Sequence, residues 1–532
     1  DLQVLRALGA GPPATMFDGL VGLEASILVG TLLAAGVAIA LSPVAPFGPV
    51  RSVYPSPGIS FDWTVLGLGV LVLLALLSVI ATALAFANAP HRVALRVRIR
   101  SRSGTKVVAS AARAGLSAPA VVGVRMALEP GEARSAVPVR SALLGSVLAV
   151  ALVVTTLTFG SSLQTLVSSP ALYGWNWSYI LNPVGPSAGN VPRVAFTMLK
   201  RDRYVAAYSG VSFNDVEIDG QAVPFLVGDA IASVAPPILS GHSVAGPRQI
   251  VLGAATMAQI HRRVGQYVTV SFGEPVDTPI YIPPTRLQIV GTATFPAIGF
   301  ASTVSDHTSM GTGAIMATGA MPRAFVAAIN GGPDPALDGP SLALVRLKPD
   351  APEAAAVASL QRIAAAANRA FASAPGGSAG NGIAVQGVQR PAEIVNYKTI
   401  GRTPTLLVSA LALGAVVALA LTLFASVRQR RRDLALLKTL GFVRRQLSAA
   451  VAWQATVAAV VGVVVGLPLG VIVGRWLWNL FAQQINAVPY PTVPVGSLLL
   501  VVLGTLLLAN IIAALPARAA ARTPTALMLR SE

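Results

Sequence analysis

Few residues of this sequence have the types and spacing that catalysis needs. The stretch TVSDHTS places Ser305, Asp306 and His307 next to one another. A hydrolytic triad is assembled from residues that meet in space and not from neighbours along the chain, so this stretch does not predict catalysis. The chain also lacks the GxxxxGKS or GxxxxGKT pattern with which a P-loop binds ATP. We therefore predict a protein that is not an enzyme, with no catalytic residues and no cofactor of its own.

Metal-binding patterns are weak as well. The chain has no cysteine, which excludes thiolate ligands and disulfides. The four histidines are scattered, and we interpret His261, beside two arginines, as part of a solvated helix face. In NDVEIDG the residues Asp215, Glu217 and Asp219 alternate, so they would share one face of a strand. Carboxylates so arranged suit Ca²⁺, but a solvated strand edge is the favoured interpretation, and no metal site is predicted.

Long uncharged runs determine the class of the protein. Only 11% of its residues are charged, against about 25% in soluble domains. A helix needs about 20 apolar residues to cross a bilayer, and we predict six such spans, of which the first contains Glu24. The spans are 19–42, 64–87, 141–167, 403–427, 446–474 and 495–516. The predicted fold is a polytopic α-helical membrane protein.

Basic residues are concentrated beside the ends of these spans. The segments 88–140, 428–447 and 517–532 carry +16 of the net charge of +18. Such charge marks cytoplasmic segments and places all three on one side of the membrane.

Nucleic-acid binding needs aromatic platforms among the basic residues, but the tryptophans lie outside these segments, so no nucleic-acid partner is predicted. We interpret the six tryptophans as an aromatic belt at the membrane interfaces. Its members are Trp63, Trp175, Trp177, Trp453, Trp476 and Trp478.

A large extracytoplasmic domain is predicted between the third and fourth spans, at residues 168–402. The stretches PRQIVLG, QYVTVSF and RLQIVGTATF gather β-branched residues between glycine and proline breakers, and they predict strands. SLALVRLKPD predicts a further strand, which leads into an alanine-rich helix over APEAAAVASLQRIAAAANRAFASA. The domain is therefore predicted to be α+β.

One short phrase occurs twice in the chain. DLALLKTLG at residues 433–441 and DLQVLRALG at residues 1–9 share five of nine residues. Apolar positions three and four apart, with basic residues between them, predict an amphipathic helix that ends or kinks near Gly441. One interpretation is a helix lying on anionic lipid. The other is a helix that docks into a groove of a cytoplasmic partner, and the recurrence at the same topological point favours it.

The helix that follows the second copy carries a stripe of glycines. Gly462, Gly466, Gly470 and Gly474 recur every four residues and give one smooth helix face that another helix can approach closely. We predict helix packing along this stripe, which is compatible with a sliding or rocking surface. Pro468, in its middle, is a candidate kink.

The two phrases, the glycine-rich helix and the order span, outer domain, span, phrase, span, span resemble the FtsX-like permeases of ABC transporters, including the MacB type. The resemblance covers residues 1–100 and 141–532. It implies about eight spans in a longer protein, of which this chain is the C-terminal part. The implied parts are the second half of a first FtsX-like repeat at 1–100, a basic cytoplasmic linker at 101–140, a transmembrane helix at 141–167, an extracytoplasmic domain of MacB-like periplasmic core type at 168–402, and a second FtsX-like domain at 403–532 with its coupling segment at 428–447.

In such permeases the phrase contacts a separate ATPase, and the resemblance assigns that contact here to two sets of residues. The first set is Asp433, Leu434, Leu437, Lys438, Leu440 and Gly441. The second set is Asp1, Leu2, Leu5, Arg6, Leu8 and Gly9. The partners implied are a cytoplasmic ABC ATPase dimer that binds ATP and Mg²⁺, the lipid bilayer and a protein on the extracytoplasmic side. The location implied is the cytoplasmic membrane, which the chain crosses several times.

The function implied is that of a permease subunit. It couples ATP hydrolysis in the separate ATPase to movement of the outer domain and to export or release of a hydrophobic substrate, which is a lipid, lipoprotein, peptide or drug. The alternative is a mechanotransmitter that transports nothing and regulates a cell-wall hydrolase or a sensor from the membrane.

Overall fold

The computed structural model of the chain describes most residues between 12 and 521. The described residues are 12–42, 62–87, 102–129, 139–184, 190–228, 234–277, 279–296, 298, 308, 310–331, 335–373, 382–391, 394–395, 397, 403–429 and 436–521. The chain divides into two compact units. The helical unit is Asp1–Val154, Arg402–Gly470 and Val495–Glu532, and the sheet unit is Thr155–Gly401 and Val471–Pro494.

The described part of the chain contains helices and strands with the following bounds. The helices are α1 Pro12–Leu41, α2 Leu68–Ala87, α3 Arg102–Arg113, α4 Ala118–Leu128, α5 Val139–Ser168, α6 Arg193–Arg201, α7 Ala254–Gln259, α8 Arg323–Asn330, α9 Glu353–Ser373, α10 Thr403–Gln429, α11 Arg444–Gln484 and α12 Val495–Ala521. The strands are β1 Tyr179–Val184, β2 Val205–Ile218, β3 Gln221–Val227, β4 Ile238–Gly241, β5 Gln249–Gly253, β6 Tyr267–Phe272, β7 Ile282–Ala293, β8 Ala314–Met316, β9 Leu342–Leu347 and β10 Gly382–Gln386.

Within the described part of the chain, four stretches of helix are long and apolar enough to cross a membrane. They are Leu20–Ala40, Leu143–Ser168, Arg444–Gln484 and Val495–Ala514. Helices α2 and α10 lie where the two remaining spans are predicted, but their apolar stretches are shorter, at Leu68–Ala83 and Leu406–Ala418. The total of six spans therefore stays a prediction.

Helix α11 is longer than the span predicted at 446–474. It continues through Pro468 and past Arg475 to Gln484, a length of 41 residues. A single proline or arginine does not end it, because apolar residues continue on both sides. The chain leaves the helix at Asn486, whose φ of 56° is left-handed and incompatible with helical continuation.

Within the helical unit, α5 and α11 approach each other closely through the glycine stripe. A Cβ atom on Gly466 would lie 2.6 Å from the carbonyl oxygen of Val147, and one on Gly470 would lie 2.6 Å from that of Ala151. These distances leave no room for a side chain. Contacts step four residues along both helices in the same direction, so α5 and α11 run parallel.

Smaller contacts join the other helices of this unit. Ala455 and Ala459 of α11 pack against alanines of α12, which is close packing of the kind small residues allow in membranes. The Ser78 hydroxyl of α2 donates a hydrogen bond of 2.6 Å to the Glu24 carboxylate of α1. The acid inside the first predicted span is thus held by a neighbouring helix.

The sheet unit contains one mixed sheet in which β2 is shared by two parts. The strand order is β10-β1-β9-β2-β3-β8-β5-β7-β4, and β6 pairs with β2 and β7. β2 pairs with β9 as far as Val211 and with β3 from Ser212 onward. Strands confirm the predictions for PRQIVLG, QYVTVSF, RLQIVGTATF and SLALVRLKPD, and α9 confirms the alanine-rich helix.

Helices cover the two parts of the sheet separately. α6 and α9 pack on the part formed by β1, β9 and β10, through residues such as Leu199, Leu360 and Ile363. α7 and α8 lie on the other part, where Phe325 is fully buried. In the same unit Gly474 packs against α5, since a Cβ atom there would lie 3.0 Å from the carbonyl oxygen of Thr155.

The aromatic belt was the wrong interpretation for half of the tryptophans. Trp175, Trp177 and Trp478 are buried in the main core of the sheet unit. The ring of Trp478 packs edge-on against Phe159, with centroids 5.6 Å apart. Sequence position beside a span cannot distinguish a side chain at the lipid interface from one in the core of an adjoining domain. Trp63, by contrast, is 77% exposed.

Two smaller predictions also need correction. His261 does not lie on a helix face: it follows α7 in a turn with φ of 56°. Asp219 lies in the turn after β2, where it accepts hydrogen bonds of 2.9 Å from Arg262 and from the backbone N–H of Thr269. The strand ends before Asp219, so the three acids do not share one strand face.

Among the described residues no three His, Asp or Glu side chains are grouped for a metal ion. The TVSDHTS stretch lies outside the described residues, apart from Thr308.

The glycine stripe predicts a large difference between two Gly→Ala substitutions. Gly466→Ala forces α5 and α11 apart and should lower stability by about 1–3 kcal/mol, the usual cost of overpacking. Gly504→Ala on α12 meets nothing within 4 Å and should leave stability unchanged or higher, because alanine is the better helix former. Thermal unfolding of both variants in detergent, followed by circular dichroism, measures the difference. Equal midpoints would show that the stripe does not hold the two helices together.

Candidate functional site

The second phrase ends in a helix stop that its own residues create. Residues 436–439 are helical, and Gly441 has a φ of 94°. The backbone N–H of Phe442 bonds to the carbonyl of Leu437 at 3.1 Å, and that of Gly441 bonds to Lys438 at 3.2 Å. This pair of bonds is a Schellman motif, which needs a left-handed residue after the helix. Glycine adopts that conformation without strain, which explains its place in the phrase.

A second cap starts α11 immediately afterwards. The side-chain oxygen of Gln446 accepts a hydrogen bond of 3.0 Å from the N–H of Val443. It thereby satisfies a donor that the first turn of a helix leaves free. The chain therefore turns from the phrase into α11 within the residues Gly441 to Val443, and the phrase is fixed relative to the start of that helix.

One face of the phrase packs into the helical unit. Leu437 and Phe442 contact a cluster formed by Met126 of α4, Leu447 of α11 and Ala517 of α12. Leu437 and Phe442 are the C3 and C″ positions of the Schellman motif, where a hydrophobic contact commonly accompanies the hydrogen bonds. The predicted site residue Leu437 is thus half-buried and supports the fold.

Helix α4 of the basic linker supports this arrangement, and the sequence prediction missed it. A Cβ atom on Gly123 would lie 2.6 Å from the carbonyl oxygen of Ala450, so α4 and α11 cross with almost no space between them. The available signal was the apolar run APAVVGVRMAL between two basic stretches. Phe442 was also missed, although an apolar residue directly after the glycine of a helix stop is part of the Schellman pattern.

The other face of the phrase is apolar and exposed. Leu436 and Leu440, four residues apart, share this face, and they are 53% and 78% exposed. Val443 extends it and is 58% exposed. Arg444 and Arg445 lie beside it and are exposed as well. We call Leu436, Leu440 and Val443 the apolar tip; its chemistry suits an apolar groove with an acidic rim.

The predicted site residues thus fall into four groups. Leu440 belongs to the apolar tip, whereas Leu437 and Gly441 hold the tip in place and Lys438 is half-buried beside them. Asp433, Leu434 and the whole first copy of the phrase lie outside the described residues. The glycines of the stripe are all buried, and they pack α11 against α5.

Comparison with known proteins finds a family similarity for the C-terminal part of the chain. Residues 405–525 match the family model of the FtsX-like permease C-terminal domain. Among solved structures, the chain is similar to the crystal structure of the periplasmic region of MacB from Actinobacillus actinomycetemcomitans, with 11% sequence identity and a TM-score of 0.27. That match covers 45% of this chain and 97% of the other. No curated protein matches the chain.

The family match confirms part of what the sequence predicted. The predicted likeness to FtsX-like permeases holds over residues 405–525, which include α11, α12 and the described part of the second phrase. Together with the candidate spans, it indicates a membrane protein in which this segment is similar to the FtsX-like permease C-terminal domain.

The two faces of the phrase predict opposite effects of one substitution. Leu437→Asp places a charge in the cluster around Met126 and should destabilise the helical unit by about 2–5 kcal/mol. Leu440→Asp changes a side chain that is 78% exposed and should alter stability by less than about 0.5 kcal/mol. Thermal unfolding of the two purified variants tests this. Equal loss of stability in both would contradict the assignment of the faces.

Proposed function

We propose that the chain is the membrane subunit of an ABC transporter and that the apolar tip docks into a separate cytoplasmic ATPase. The observation that carries the proposal is the division of the phrase into a buried face and an exposed apolar face. Packing within the chain uses Leu437 and leaves Leu440, at the end of the same helix, 78% exposed and available to a partner. The FtsX-like permease match at 405–525 supports the general class.

The connection of the tip to α11 supports a mechanical role. Gln446 and the Schellman motif fix the phrase to the start of α11, and the glycine stripe fixes α11 to α5. A push on the tip is therefore delivered to the end of a long helix and not absorbed by a loose loop. Both helices also contribute residues to the sheet unit, in which Trp478 and Leu166 are core residues.

The first copy of the phrase takes the same role in this proposal. An ATPase dimer offers two equivalent grooves, and Val4 and Leu8 of the first copy stand at the positions that Leu436 and Leu440 of the apolar tip occupy in the second. In this proposal the separate ATPase binds the ATP and Mg²⁺, and this chain supplies the surfaces that dock into it.

The substrate class we propose is hydrophobic: a lipid, lipoprotein, peptide or drug. The predicted spans contain only one acid, Glu24, and an ion-coupled pathway needs several ionisable groups inside the membrane. ATP-driven movement of the sheet unit, on the extracytoplasmic side, is the proposed output. A regulator that moves the same domain without transport would use the same tip, and transport assays separate the two.

The test is co-purification of the full-length protein with the ATPase encoded beside its gene. Leu440→Asp combined with Leu436→Asp should reduce the ATPase retained at least tenfold, because two apolar contacts are replaced by charges that repel an acidic rim. Val276→Asp is the matched control, because Val276 lies in the sheet unit and is 83% exposed. The protein with this substitution should retain the ATPase fully.

Three outcomes are distinguishable in that experiment. Loss of the ATPase only in the tip variant supports docking. Full retention of the ATPase in the tip variant would overturn docking and leave the lipid-surface interpretation of the phrase. Loss in both variants would reflect misfolding, which gel filtration detects.

A further inference from the structure

The far end of helix α11 carries a single charge for which the chain supplies no counter-charge. Arg475 is the only charged residue between Arg445 and the end of the helix at Gln484, and no acid occurs in the sequence between Asp433 and Glu532. Arg475 is exposed, and its side chain makes no ion pair or hydrogen bond within the described part of the chain. Its guanidinium group is therefore free to bind an anion from outside the chain.

The position of Arg475 along α11 corresponds to the edge of a membrane. The uncharged stretch 446–474 precedes it, and a helix of this length measures about 44 Å. A bilayer with its headgroup layers is about 40–45 Å thick. When Arg444 and Arg445 lie at one surface, Arg475 reaches the headgroup layer of the opposite leaflet. Trp476, the next residue, is 60% exposed, which is typical of an aromatic side chain at a membrane interface.

Two amide side chains extend the polar surface beyond Arg475. Asn479 and Gln483 follow it at intervals of four residues, so the three side chains form a row along one side of the helix, with about 6 Å between successive members. Gln483 is exposed. Asn479 is half-buried, and its amide oxygen is turned inward, which leaves the amide nitrogen as the donor on the outer side. The row thus presents a guanidinium group nearest the membrane and amide donors farther out.

The surface on the membrane side of Arg475 is apolar. Ile472 is 64% exposed, whereas Gly474, two residues later, is buried against α5. The face that carries Ile472, Trp476 and the polar row therefore points away from α5. An apolar surface that leads into a row of hydrogen-bond donors matches the shape of an amphiphile, with acyl chains on one side and a headgroup on the other.

We propose that the far end of α11 is a binding site for an anionic lipid whose phosphodiester carries a hydroxyl-rich headgroup. The phosphodiester accepts hydrogen bonds from Arg475, because a guanidinium group matches the geometry of phosphate oxygens. Headgroup hydroxyls accept hydrogen bonds from the amide groups of Asn479 and Gln483, and an acyl chain lies along Ile472. A zwitterionic lipid fits less well, since its own ammonium group competes for the phosphate and finds no acid beside Arg475. This inference depends on the membrane location of α11 and not on ATPase docking.

The test is native mass spectrometry of the full chain in detergent, titrated with phosphatidylglycerol. Arg475→Gln should weaken binding of the first lipid about fivefold, the effect of one basic residue near a membrane surface. Arg369→Gln is the matched control, because Arg369 is an exposed arginine on α9 in the sheet unit. It removes the same charge and should leave the affinity unchanged.

Two further lipids test the headgroup assignment. Gln483→Ala should weaken binding of phosphatidylglycerol two- to threefold and leave phosphatidic acid unaffected, because phosphatidic acid has no hydroxyl headgroup to reach this side chain. Phosphatidylcholine should bind the wild type at least threefold more weakly than phosphatidylglycerol. The three substitutions change exposed side chains, so circular dichroism should give the thermal midpoint of the wild type for each of them.

Three results would overturn the proposal. In the first, Arg475→Gln binds phosphatidylglycerol as the wild type does. In the second, Arg369→Gln loses as much affinity as Arg475→Gln, which would show general attraction between a basic protein and an anionic lipid. In the third, phosphatidylcholine binds as tightly as phosphatidylglycerol. Retention of the ATPase by the apolar tip is a separate measurement, which none of these results would change.

Discussion

The close parallel packing of α5 against α11 is the constraint on which the rest of the structure depends. Carbonyl oxygens of α5 lie where side chains of α11 would otherwise be, so glycine is required at Gly466 and Gly470. Helices in a bilayer gain no hydrophobic energy by associating, and close backbone contact is one of the few forces left to hold them. Each of these helices also supplies residues to the core of the sheet unit, including Leu166 and Trp478.

The phrase before α11 has a conformation that its own contacts fix. Its glycine stops one helix, Gln446 begins the next, and Leu437 anchors the turn in a cluster that draws on α4 and α12. The exposed leucines therefore sit on a fixed support. In the docking proposed above, a surface that is already ordered before it meets its partner would lose little conformational entropy on binding.

Much of this architecture was predictable, because it rests on local rules. Strand stretches such as QYVTVSF and the alanine-rich helix α9 follow from composition and from the glycine and proline residues that bound them. The four-residue spacing of the glycines predicted close packing. Burial could not be predicted in the same way. Trp478 lies beside charged Arg475 in sequence, yet its ring is fully buried, since tertiary contacts with Phe159 decide its position.

The faces of the phrase were harder to predict for a similar reason. Leu437 and Leu440 have the same side chain and both follow the apolar spacing, but the helix stop at Gly441 directs one inward and leaves the other exposed. The supporting role of α4 depends on a contact between Gly123 and Ala450, more than 300 residues apart in the chain. Neither periodicity nor charge pattern carries that information.

The central claim is that the apolar tip contacts an ATPase, and site-specific photocrosslinking tests it most directly. p-Benzoylphenylalanine is placed at Leu440, or at Val276 as a control, in the full-length protein, and intact membranes are irradiated. The account predicts that position 440 crosslinks to the ATPase chain and position 276 does not. Crosslinks from position 440 to lipid alone, in membranes that contain the ATPase, would contradict it.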